Sequence, residues 1–173
     1  MIIVNSYMRY SEIFEGRDAS LYHMMDSKKA ESVFQNDTMY ATTQHKLPSH
    51  GLIFGSSFTR MALRLSRSFG TVWLEVDQTK LAQRHKIIPV DGEWSLGYKK
   101  GDADLNRWRD RRSEEFAEEF VIGDINNLHK YIRSITVIHN KQYRYLNDEE
   151  KARLDNTCSD YAKKYSLPIK VIG

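Results

Sequence analysis

Leu21-Tyr22-His23-Met24-Met25, Thr38-Met39-Tyr40-Ala41-Thr42-Thr43 and Gly51-Leu52-Ile53-Phe54-Gly55-Ser56-Ser57-Phe58-Thr59-Arg60 decide how this chain is read. The first run is apolar around one histidine and breaks at Asp26, the pattern of a buried strand. Asp26 or Ser27 can cap a helix over 28–35, which brings Ala30, Val33 and Phe34 onto one face at i, i+3 and i+4 spacing. Thr38 to Thr43 is β-branched and aromatic and reads as a second strand. A polar loop over 44–51 contains Pro48. It leads into a glycine-flanked turn presenting Ser57 and Thr59, where Gly51 and Gly55 permit positive φ or close approach of a ligand.

Working outward, Met61, Leu65 and Phe69 share a helical face that closes at Gly70. Val72-Trp73-Leu74-Glu75-Val76 is the clearest strand, and Ile87-Ile88-Pro89-Val90 is a shorter one whose proline favours an edge. Residues 91–112 read as an irregular, glycine-containing loop. The run over 113–119 starts helical and passes into a strand at Phe120-Val121-Ile122; a short helix over 126–131 and a strand over 132–139 follow. Asn147 and Glu150 have capping-box spacing, and the helix they open aligns Leu154, Cys158, Tyr161, Ala162 and Tyr165. Leu167 to Ile172 closes the chain as a strand. Ile2 to Val4 reads as a first strand.

The 173 residues fit one α+β domain, 1–173, with enough chain to bury a core. Lys and Arg number 26 against 23 acidic residues, a net of +3. That balance is too small to mark a polybasic nucleic-acid binder. One cysteine excludes an internal disulfide and a thiolate-rich zinc site, and the six histidines lack tight ligand spacing, so no metal is expected. With neither a leader-like start nor a long apolar run, the expected location is the cytoplasm, away from membranes.

The chemistry-bearing candidates are His23 at a strand end, Ser57 and Thr59 in the turn, and Glu118 and Glu119 at the mouth of the 120–122 strand. Each has a plainer structural reading: a satisfied core histidine, a self-bonded polar turn and a solvated acidic face. A carboxylate fixed at a strand mouth can also stabilise a developing cation. Arg107, Trp108, Arg109 and Arg111 combine charge with an aromatic surface, suited to phosphates and a base, although an exposed basic loop is the ordinary reading.

Taken together, the Tyr22-His23 strand, helix, strand, Ser57-Phe58-Thr59 segment and late glutamate resemble the ADP-ribosyltransferase-like family over about 21–138. The resemblance implies a split, mixed β-sheet flanked by helices around a cleft for NAD. It implies that His23 hydrogen-bonds the nicotinamide-side ribose, that Ser57 and Thr59 shape the nicotinamide pocket with Tyr40 as aromatic neighbour, and that Glu119, or else Glu118, is catalytic. The implied reaction transfers ADP-ribose from NAD to a macromolecular acceptor, protein or nucleic acid, with release of nicotinamide. Arg107, Trp108, Arg109 and Arg111 would then receive the acceptor. Met24 and Met25 stand where much of the family has a glycine and a small hydroxyl residue, and Ala117 stands where an acceptor-engaging Gln or Glu is common. These substitutions favour, as alternatives, a catalytically inactive binding or inhibitor module. A metal-independent RNA-targeting toxin using His23 and the arginines is the third reading.

Overall fold

In the computed structural model, which describes residues 20–47, 51–60, 70–89 and 118–173, the chain is an α+β fold built on one mixed eight-stranded sheet. Ser20–Met25 (β1) alternates half-buried and buried positions, so Leu21, His23 and Met25 face the core. Ser27–Asn36 (α1) follows at once because the Asp26 side chain accepts the Lys29 backbone N–H at 2.8 Å. It ends at Asp37 in left-handed backbone (φ 49°) and buries Ala30, Val33 and Phe34, as their spacing predicts.

Thr38–Met39 (β2) is shorter than expected, and the expected polar loop contains a strand, Thr43–Leu47 (β3). β3 forms a hairpin with Gly51–Thr59 (β4), which incorporates Ser57 and Thr59 into a strand instead of a turn. Pairing overrides the glycine and serine content here, because β4 has ladder partners along both edges. Val72–Asp77 (β5) is followed by Gln78–Ala82 (α2), and Ile87–Pro89 (β6) lies at the sheet edge as its proline predicts. Glu118–Ile122 (β7) begins where the acidic run suggested helix. Ile125–Asn126 (β8) pairs β2, a 3-10 turn spans Leu128–Lys130, and Ile132–Ile138 (β9) returns to the sheet.

The last third is the most regular. After Lys141–Tyr145 (α3), Asn147 and Glu150 close a capping box on Asp148–Tyr165 (α4), with acids in the first turn and Lys163 and Lys164 in the last. Leu154, Cys158, Tyr161 and Ala162 are buried, and Tyr165 packs against the core from a half-buried position. Phe34 of α1 meets Tyr161 of α4 at 4.5 Å between ring centres, so the two helices share one layer. Ile169–Ile172 (β10) then pairs β9 in parallel at the other edge. No helix among the described residues is long and apolar enough to cross a membrane. The expected strand at 2–4, helix over 61–69 and loop over 91–112 lie outside the described residues.

The sheet order is β10-β9-β5-β1-β4-β7-β6, with β3 joined to β4 beside β1. Thus β4 holds two strands along one edge: β3 as far as Gly55, and β1 at Thr59. The sheet splits between those rungs. The connections from β5 to β6 and from β7 to β9 both cross the core face, which Leu81 of the first and Ile125 and Leu128 of the second help to fill.

Gly55 stands at the split. A Cβ there would lie 2.0 Å from the Val121 carbonyl oxygen and 2.8 Å from the Phe120 ring, so the glycine serves close approach of β7 and not, as its sequence context also allowed, of a ligand. Gly55→Ala is expected to cost at least ~2 kcal/mol by overpacking against backbone that cannot rotate away, measured as a lower urea midpoint with an unchanged slope. A midpoint within error of the parent would show that β7 is not held this close.

Candidate functional site

Alternation places the sequence candidates on two faces. Tyr22 pairs Thr59, and the same antiparallel register brings His23 beside Phe58, their ring centres 5.0 Å apart. Phe58 in turn pairs Glu119. His23, Phe58 and Glu119 therefore form a row across β1, β4 and β7 on the core face. With strands ~4.8 Å apart, the outer two backbones are roughly 10 Å apart. Ser57 pairs Phe120 and Thr59 pairs Glu118, one position out of phase, so Ser57 and Thr59 lie on the opposite face from His23 and Glu119. Tyr40 is 46% exposed in the connection between β2 and β3. Arg107, Trp108, Arg109 and Arg111 lie outside the described residues.

His23 closes the split. Its Nδ1–H donates to the Ser57 carbonyl oxygen at 2.6 Å, between the last β3 rung and the β1 rung. Ser57 thus contacts His23 through its backbone. Burial and then the nearby Lys29 charge depress the His23 pKa to about 3, while the Ser57 carbonyl opposes the shift. The ring is neutral near pH 7. With the proton on Nδ1, Nε2 is an acceptor, and that atom is buried without a hydrogen-bond partner among the described residues. A buried acceptor of this kind suits a hydroxyl donor.

Glu119 is fully buried, and its Oε1 lies 3.2 Å from Arg60 Nε. Arg60 follows β4 directly, so the strand that supplies Phe58 also supplies the countercharge. Stripping one partner from such a pair costs about 3–5 kcal/mol, because the other charge stays in low dielectric. The row can therefore offer a neutral hydrogen-bond acceptor at one end and a fixed carboxylate at the other.

Sequence reasoning passed over His45. It is buried on β3, its ring edge meets Phe120 at 4.5 Å, and its Nε2 lies 3.5 Å from Ser57 Oγ. His23 and His45 thereby reach Ser57 through its backbone and its side chain respectively. The signal was the period-two pattern of Thr43-Gln44-His45-Lys46-Leu47, hidden by its polarity. Among the described residues no three His, Cys, Asp or Glu side chains gather as a metal site. Cys158 is buried, with its thiol pushed up to about 12 mainly by burial, so it is inert core.

No protein-family model matches the chain, and no curated protein matches it. Among solved structures, the chain is similar to DarT of Thermus sp. 2.9 in complex with carba-NAD+, with a TM-score of 0.48 and 9% identity. The alignment covers 91% of this chain and 96% of that one.

The depressed His23 pKa fixes a sign. Between its folded value and the unfolded value of about 6.5, only the unfolded chain binds the proton, so stability falls on acidification by up to ~1.4 kcal/mol per pH unit. Asp37 and Asp77, whose pKa values are also lowered in the folded chain, lose stability below their unfolded values near 4, whereas His85, lowered by burial and by Arg84, adds a slope of the same sign between pH 6.5 and 5, so the His23 contribution is the difference between parent and variant in that window. Urea unfolding across that window is expected to show the slope in the parent and a flatter line in His23→Gln. Equal slopes would assign the effect to another group.

Proposed function

We propose that the chain is an ADP-ribosyltransferase-like enzyme that binds NAD beside the β1/β3 split and transfers ADP-ribose to a macromolecule. The observation that carries this reading is the unpartnered Nε2 acceptor of neutral His23 in the same cross-strand row as the Glu119 carboxylate. His23 accepts a ribose hydroxyl of the donor. Glu119, oriented by Arg60, holds a second ribose hydroxyl and stabilises the positive charge that develops as the glycosidic bond to nicotinamide breaks. Nicotinamide departs with the bond electrons, and an acceptor nucleophile then forms the new bond to the ribose carbon and loses its proton.

A carboxylate in a water-poor site is worth more to such a transition state than one in bulk water. Register favours Glu119 over Glu118 for this role, since Glu119 lies in the row with His23. Ser57 contributes its carbonyl as the element that fixes the His23 tautomer. Tyr40 serves the nicotinamide side and the arginines around Trp108 serve the acceptor, as parts of this proposal, whereas Thr59, on the opposite face from the row, has no part in it. The acceptor is a protein or a nucleic acid. A second reading, an inactive binding module, draws on the full burial of Glu119 against Arg60, which equally describes a structural ion pair.

The experiment is nicotinamide release from NAD by the purified protein in the presence of cell lysate, beside Glu119→Gln. The expected result is release by the parent and a loss of roughly a hundredfold or more in the variant, with NAD affinity changed only a few-fold and a cooperative melt retained. Absence of both release and NAD binding in the parent would discard the enzyme and leave the binding module.

A further inference from the structure

A cavity of about 360 Å³ lies between the two connections that cross the core face, after β5 and before β9. Its walls include Lys80, Arg84, His85, Asn126, Lys130 and Tyr131, and none of the described residues that line it is acidic. It shares no residue with the row formed by His23, Phe58 and Glu119.

Three cationic side chains converge here in a chain whose net charge is only +3. Each is exposed, and none of the three makes an ion pair among the described residues within 4.0 Å. Asp77, the acid that senses Lys80, is already engaged, since its Oδ2 receives Arg133 Nη2 and its Oδ1 receives the Lys80 backbone N–H, each at 3.0 Å. The carbonyls that α2 leaves at its end are occupied too: Lys80 and Leu81 accept the backbone N–H groups of Gln83, Arg84 and His85. Asn126 Oδ1 accepts the Thr38 hydroxyl at 3.3 Å, which leaves its amide nitrogen as the donor. The described lining is thus rich in donors and positive charge, and the side-chain amides of Gln83 and Asn127, each both donor and acceptor, complete it.

One wall is aromatic. Tyr131 is buried, and the half-buried His85 ring meets it edge-on at 5.7 Å. A flat solvated face of lysines has neither this concavity nor this wall, and the volume falls in the range of small-ligand sites, roughly 300–1,000 Å³. Mutual repulsion of three cations around one cavity is relieved by an anion, and a phosphate offers acceptors to all of the donors at once.

We propose that this cavity binds the phosphate of a nucleotide unit, with Lys80, Arg84 and Lys130 on the phosphate oxygens and the attached nucleoside against the His85–Tyr131 wall. The unit is either a free nucleotide or one residue of a single strand. The proposal does not rest on NAD chemistry at the split.

The test is binding of AMP, by calorimetry, and of a fluorescein-labelled single-stranded oligothymidylate, by anisotropy, at low ionic strength. Arg84→Glu/Lys130→Glu is compared with Lys28→Glu/Lys170→Glu, which reverses as many exposed charges elsewhere. The expected result is at least roughly tenfold weaker binding in the first double variant, the equivalent of one charge-assisted hydrogen bond, and near-parent binding in the second. Binding of AMP identifies a free nucleotide as ligand. Binding of the oligonucleotide alone identifies strand phosphates, and the salt slope should then fall by about 1.4, because two fewer phosphates are neutralised. Equal weakening in both variants, or no binding of either probe by the parent, would overturn the proposal, and matching melts of all three proteins exclude unfolding as the cause.

Discussion

The hydrogen bond from His23 to the Ser57 carbonyl is the contact on which the centre of this structure depends. β4 carries β3 and β1 on the same edge, and between their rungs the sheet would be left open at Ser57. A buried carbonyl without a donor costs about 1–3 kcal/mol, and the imidazole supplies that donor from the neighbouring strand. The same bond sets the ring's tautomer and so leaves Nε2 as an acceptor inside the protein. One side chain therefore holds the split together and gives it chemical character.

Around that point the two faces of the sheet are differently furnished. On the core face Phe58 of the row joins one hydrophobic cluster with Leu81, Ile125 and Leu128 of the connections and with the buried faces of α1 and α4. On the other face β1, β5 and β9 carry a polar network in which Ser20 and Ser134 both donate to Glu75 at 2.7 Å and Arg133 bonds Ser20 and Asp77 at 3.0 Å. Burying Glu119 is tolerable because Arg60 follows the strand that faces it. An unpaired carboxylate at that depth would take up a proton or force the strand apart.

The helices α1 and α4 were legible in the sequence because their signals are local, whereas the five-residue α3 was not. Asp26 before α1 and the Asn147–Glu150 box before α4 are caps that act within one turn, and the stripe from Leu154 to Tyr161 needs only helical periodicity. β1 and β5 were legible for a similar reason, since apolar and β-branched residues fill the positions that turn inward. β3 was not, because its partner and not its composition makes it a strand. Ser57 and Thr59 resemble a turn for the same cause: glycine and serine mark flexibility in isolation, and only pairing with Phe120 and Glu118 makes them extended. His23 and Glu119 were recognisable as residue types at strand ends. That they belong to one row, while Ser57 and Thr59 face the other way, depends on a register that pairs residues as far as 67 positions apart, and no local pattern encodes that.

Those registers give Gly55 a further consequence. A slip of β4 by one position against β7 would exchange the two faces, moving Phe58 out from between His23 and Glu119 and putting serine hydroxyls in its place. Such a slip would also bring Phe54 or Ser56 against the Val121 carbonyl, where only a residue without Cβ fits. Gly55 therefore works as an alignment key: by excluding its neighbours it selects which side chains share the interior row, though it touches neither His23 nor Glu119 through any atom of its own side chain.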